Sequence, residues 1–223
     1  MPARGAGKPA SRSAQHAAPR VRQLGLVDYA PAWHAMQAYT RQRTSETADE
    51  LWLLEHTPVY TVGIAGRAAH LPRVDNGIPL VRTDRGGQVT YHGPGQPIAY
   101  MLVDMRRRGL SVRPLVRLME QAVIGLLAHF GIHGKCRADA PGVYVGGAKI
   151  AALGLRIRQG CCYHGIALNV DMDLTPFNAI DPCGYAGLAV TQTRDLGIAD
   201  SPAALAQRLA GELIQRLSPA EPS

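Results

Sequence analysis

The run from Gly160 to Gly187, GCCYHGIALNVDMDLTPFNAIDPCGYAG, leaves a chain few ways to fold. Its first half alternates. Tyr163, Gly165, Ala167, Asn169 and Asp171 fall on one side and His164, Ile166, Leu168 and Val170 on the other, which is the period of a strand. Its second half closes on Cys183, between a proline of fixed φ and a glycine of free φ, so the thiol is expected in a tight turn. The preceding segment, PGVYVGGAKIAALGLRIRQG, reads as a hairpin that turns at Gly146 and Gly147 into a long strand carrying Lys149.

Around this centre the spacing predicts strands at residues 22–27, in LWLLEH and VYTVG around Pro58, at 79–83 and in PIAYMLVDM. His70 to Pro79 carries loop punctuation. Pro31 is placed to open a helix running to Ser45, with Trp33, Met36, Ala38 and Tyr39 as apolar positions. Ser111 is placed to cap a second helix through Leu115, Leu118, Met119, Ala122, Val123, Leu126 and Leu127, ending near Gly131. Ser201 caps a third through Leu217. Strands in the middle with helices between them predict an α/β fold of one domain, with a mixed, largely antiparallel sheet and flanking helices.

The first 20 residues, rich in Ala, Arg, Pro and Ser, are expected to be a disordered extension, leaving 21–223 as the folded domain. Arg4, Lys8, Arg12 and Arg20 supply four of the chain's seven net positive charges. The high pI is therefore partly a tail effect, and no basic stripe interleaved with aromatics argues for nucleic acid. No apolar run reaches membrane-spanning length. The cysteines at 136, 161, 162 and 183 show no CxxC spacing, so free thiols in a reducing, cytoplasmic setting are expected, with no metal site. Arg106 to Arg108 read as a solvated turn.

A cysteine is more often a small buried hydrophobe than a nucleophile, but the turn around Cys183 favours presentation of the thiol. With an ordinary pKa of about 8.5 it needs a cation or base nearby, and His92, His164 and Lys149 are the candidates. Lys149 opens an otherwise apolar strand, where a buried lysine is costly without a partner. From spacing alone, a lysine at a strand end reaching into water is the commoner outcome. RGGQVTYHGPGQ, Arg85 to Gln96, packs glycines that let backbone approach a ligand, with Arg85 and His92 beside them. A glycine-rich hairpin explains the same pattern equally well, and the spacing fits neither a phosphate loop nor a dinucleotide site.

Together RGGQVTYHGPGQ, ADAPGVYVGGAKIAALGLRIRQGC and YHGIALNVDMDLTPFNAIDPCGYAG resemble the octanoyl-[acyl-carrier-protein]:protein N-octanoyltransferases of lipoate synthesis. The resemblance implies a fold similar to biotin and lipoate protein ligases. It also implies a dyad in which Cys183 is the acyl-thioester nucleophile and Lys149 lowers the cysteine pKa and acts as general acid and base. It carries substrate contacts to Arg85, Gly86, Gly87, Gln88, Val89, Thr90, Tyr91 and His92, to Ala152, Leu153 and Gly154, and to Gly165, Ile166 and Ala167. It implies octanoyl-acyl carrier protein as donor, with lipoyl domains of 2-oxoacid dehydrogenase subunits and the glycine cleavage H protein as acceptors. No ATP or other cofactor is called for, because the thioester is already activated. Cys162 stands where the family often has Ser or Thr, and adds a second thiol open to modification.

Overall fold

The strand β6, Ile98–Asp104, has no polar face, and it lies where both faces are covered and both edges are paired. The computed structural model describes residues 17–181 and 187–218. In it β6 pairs antiparallel with β2, Glu50–His56, and with β10, Cys161–Leu168. Beyond β2 lies β1, Arg20–Val27, in parallel. Beyond β10 come β9, Ala148–Arg158, β8, Val143–Val145, and β7, Lys135–Cys136, each antiparallel to its neighbour. A smaller sheet has β3, Val59–Val62, between β4, Leu80–Arg82, and β5, Val89–His92. The α/β class and the mixed, largely antiparallel pairing are as expected; the division into two sheets is new.

Alternation along the strands decides the layers. Leu51 and Leu53 of β2 and Ala99, Met101 and Val103 of β6 face α2, Val112–Ala128, and α3, Pro202–Leu217. Those helices bring apolar stripes at three and four residue spacing, Leu115, Met119, Val123 and Leu126 on one and Leu205, Leu209 and Leu213 on the other. Trp52, Leu54, Ile98, Tyr100 and Leu102 face the other way, against Met36 of α1, Tyr29–Arg41. Among the described residues no helix is long and apolar enough to cross a membrane.

Four local expectations change. α1 stops at Arg41 rather than Ser45, because Thr44 and Thr47 bond to each other and to local backbone in a turn that competes with the helix. Ser111 occupies the N-cap position of α2, but its hydroxyl makes no capping bond, whereas Ser201 accepts from the Ala204 amide at 3.2 Å. Arg107 and Arg108 are not solvated: with Arg43 they surround the buried carboxylate of Asp49. His164 leaves its expected face. Its φ of +65° turns the ring to the side of Tyr163, against which it stacks.

Candidate active site

Lys149 enters its position through the hairpin turn, where Gly146 and Gly147 both have positive φ. Its side chain does not reach into water. The residue is 3% exposed, and Nζ donates to the Pro141 carbonyl at 3.0 Å and lies 5.3 Å from the Tyr144 ring centre. Both contacts suit a cation. Gly142 makes the room: a Cβ there would come within 2.6 Å of the lysine Cε.

The backbone of Lys149 is held by the segment that follows Cys183 in sequence. Its amide donates to Ala189 and its carbonyl accepts from Thr191, at 2.8 and 3.0 Å. Cys183 itself lies outside the described residues. The other thiols are poor nucleophiles. Cys162 is wholly buried among the residues under α2 and α3, and burial pushes its thiol up to about 12, so it is not the accessible second thiol expected from sequence. Burial likewise raises Cys161, and it lifts Cys136 to about 11 with help from Glu120.

Between the glycine loop and the β9–β10 pair runs a narrow cavity of about 50 Å³. Ala152, Leu153 and Gly154 of β9 and Gly165, Ile166 and Ala167 of β10 form one wall; Arg85, Gly87, Gln88, Val89, Thr90 and His92 form another. Two residues named from sequence stand apart. Tyr91 packs on Tyr60 and Phe177 beneath the small sheet, and Gly86 borders a neighbouring groove with Pro141 and Leu155. Gly165 is required by close approach, since a Cβ would lie 2.0 Å from the Ala99 carbonyl oxygen. Tyr29, Ile98, Tyr100 and His164 complete the lining. Of these only His164 carried a chemical signal in sequence; Tyr29 reaches the cavity because α1 starts two residues earlier than its proline suggested.

The polar residues here are braced. Arg85, 8% exposed, donates to the Thr61 side chain and carbonyl and to the carbonyls of Gly86 and Gln88, so it stiffens the loop that it belongs to. His92 Nδ1 meets Gln96 Oε1 at 2.7 Å, and Gln96 donates onward to Asn169. Burial and then repulsion from His56 push His92 down to about 3, so it is neutral. His56, held by the Val27 carbonyl and the Tyr100 hydroxyl, is lowered to about 4 by burial. Asp84 gathers four donors: Trp33 Nε1 at 2.8 Å, Gln37 Nε2 at 3.2 Å, His164 Nε2 at 3.2 Å, and the Tyr163 hydroxyl. Burial alone would raise this carboxyl, but the bonds from His164, Tyr163 and Trp33 hold it below the usual carboxylate range. Among the described residues no group of three His, Cys, Asp or Glu is placed to hold a metal.

The fold of this chain is that of the lipoate-protein and biotin protein ligases. The chain is similar to lipoate-protein ligase A bound with ATP, with a TM-score of 0.74 at 19% identity over 90% of this chain and 86% of that one. It is similar, more distantly, to the biotin protein ligase of Aquifex aeolicus, with a TM-score of 0.58 at 12% identity over 89% and 70%. Residues 28–213 match the lipoyl protein ligase A/B catalytic domain. Over 199 residues the chain is 62% identical to the octanoyltransferase of Azoarcus sp. (strain BH72), covering 89% of this chain and 88% of that protein. Over 178 residues it is 65% identical to the octanoyltransferase of Thiobacillus denitrificans, covering 80% and 81%. The chain belongs to the lipoyl protein ligase A/B catalytic-domain family, and like its octanoyltransferase relatives it is an acyltransferase.

Proposed function

We propose that residues 21–223 form a cytoplasmic enzyme that moves the octanoyl group from octanoyl-acyl carrier protein to a specific lysine of lipoyl domains by way of Cys183. The Cys183 thiolate attacks the thioester carbonyl, the carrier thiolate leaves with the proton of the Lys149 ammonium, and an acyl-enzyme thioester and a neutral Lys149 amine remain. The acceptor amine then attacks that thioester, Lys149 takes the proton that the nitrogen sheds, and Cys183 leaves as thiolate. The charge of Lys149 favours the thiolate at both stages. The acceptors are lipoyl domains of 2-oxoacid dehydrogenase subunits and the glycine cleavage H protein. In support, the fold matches a bi-partite lipoate protein ligase described with its E2 lipoyl domain, from Thermoplasma acidophilum, at a TM-score of 0.72.

The observation that carries the reading is the placement of Lys149: buried, held on a carbonyl and a ring, and bonded through its backbone to Ala189 and Thr191, six and eight residues after Cys183. Likeness to a lipoate-protein ligase bound with ATP favours a second reading, in which a free acid is adenylated. Intact-protein mass spectrometry separates the two. Wild type mixed with octanoyl-acyl carrier protein, without ATP, is expected to gain one octanoyl group that Cys183→Ala cannot gain and that a lipoyl domain discharges. No adduct, with a lipoyl domain modified only when ATP and free octanoate are added, would move the chain to the ligases.

A further inference from the structure

The cavity has two ends. β9 and β10 pair with Ala152 opposite Ala167 and Leu155 opposite His164, so its wall runs from Ala152, three residues past Lys149 on the same strand, to His164. Lys149 and Leu155 are six steps apart on one strand, roughly 20 Å at ~3.3 Å per residue. An extended acyl chain advances ~1.25 Å per bond, from a C–C length of ~1.52 Å, so eight carbons span roughly 9 Å. That leaves the remainder for the thioester and the lysine side chain.

At the far end the wall stops being aliphatic. His164 is 2% exposed, and its positive φ aims the ring across the strand instead of along the expected side. The ring cannot swing away easily. Nε2 is held by Asp84, which is itself fixed by Trp33 and Gln37 of α1 and by Tyr163, and the Tyr100 ring meets it edge-on at 6.0 Å. Nδ1 is buried and has no hydrogen-bond partner among the described residues. With Nε2–H donating to the carboxylate, Nδ1 presents a lone pair. A methyl or methylene pressed against that acceptor satisfies nothing and keeps out any water that could.

We propose that His164, anchored by Asp84, is the end stop of the acyl cavity and sets the upper limit on the chain length that the enzyme transfers. This rests on the reading that the acyl group is carried on Cys183. A chain longer than the cavity must displace an imidazole tied to a carboxylate with four donors, and the usual gain from each added methylene is lost there. Chains up to that length meet β9, β10, the glycine loop and the side chains of Tyr29, Ile98 and Tyr100.

The test compares wild type with His164→Asn and His164→Gly. Both replacements are smaller than histidine and both tolerate the positive φ. Each protein is mixed with acyl carrier protein loaded with octanoyl, decanoyl or dodecanoyl groups, and the rate of acyl adduct formation is read by intact mass. The quantity of interest is the decanoyl-to-octanoyl ratio within one preparation, from which any loss of folded enzyme cancels. The ratio is expected to rise about tenfold in both variants, the size of burying two more methylenes. An unchanged ratio in either variant that still accepts octanoyl overturns the end stop and leaves the transfer mechanism standing. No adduct of any length on wild type overturns the transfer mechanism, and the end stop with it.

Discussion

Lys149 and Asp49 are both buried ionisable side chains, held by different partners. Asp49 is surrounded by Arg43, Arg107 and Arg108 and takes a further bond from the Asp104 amide at 2.9 Å. Burial works against its ionised form, yet the backbone bond and Arg108 outweigh it and hold the carboxyl below its usual range. Asp49→Asn would leave guanidinium groups facing a neutral amide, and denaturant unfolding should show a loss of roughly 3–5 kcal/mol. A loss below about 1 kcal/mol would mean that the arginines relax into water. Lys149 has the Pro141 carbonyl and the Tyr144 ring among its partners. Lys149→Met is expected to slow acylation of Cys183 by about 10²–10⁴-fold, with the circular dichroism spectrum retained. Gly142→Ala should act through the same lysine, since its new methyl would crowd Cε, and a rate equal to wild type would refute that contact.

Two serines that look alike in sequence separate at the level of the helix. Ser201 bonds the Ala204 amide at the start of α3, so Ser201→Ala should cost about 1 kcal/mol by chemical denaturation. Ser111 precedes α2 without such a bond, and Ser111→Ala should stay within about 0.5 kcal/mol of wild type. Equal costs at both sites would show that position, and not the bond, matters. The stripe of α2 was legible from its three and four residue spacing, because the heavily buried positions repeat with the helical turn. The end of α1 was not, because it depends on a competition between helix and threonine side chains that periodicity does not register.

The whole molecule carries a cluster of neutral histidines in its interior, and this makes its stability depend on pH. Unfolded imidazoles have ordinary values of 6.5, whereas in the fold His56 lies at about 4 and His92 at about 3. Between those limits the unfolded chain binds more protons, so stability is fully present above about pH 6.5 and is lost as the pH falls towards 4 and below. Each histidine contributes a slope of up to roughly 1.4 kcal/mol per pH unit in that window. Thermal melts should therefore fall steeply from pH 6.5 to 5, and a His56→Gln, His92→Gln double variant should flatten the curve. A wild-type melting temperature constant over that range would sink the account. The depressed carboxyls of Asp49 and Asp84 add their own loss only below about 4, where unfolded carboxylates begin to protonate.

Alternation and helical spacing are properties of neighbouring residues, so most of the strands, the three α-helices among the described residues and the α/β class could be read from the chain itself, though the two-residue β7 could not. The motifs that mark the octanoyltransferases could be read in the same way, because each is a short run of residues whose order is local. Packing decided the rest. Asp84 meets residues 33, 37, 163 and 164, Asp49 meets 43, 107 and 108, and Tyr29 and His164 come to line one cavity, through contacts between segments far apart in the chain. Whether a lysine at a strand end reaches water or is enclosed, and which face a histidine takes, is set by what the other elements leave open. Those outcomes belong to the tertiary structure because burial and hydrogen bonding act through space, while sequence spacing constrains only the neighbours along the chain.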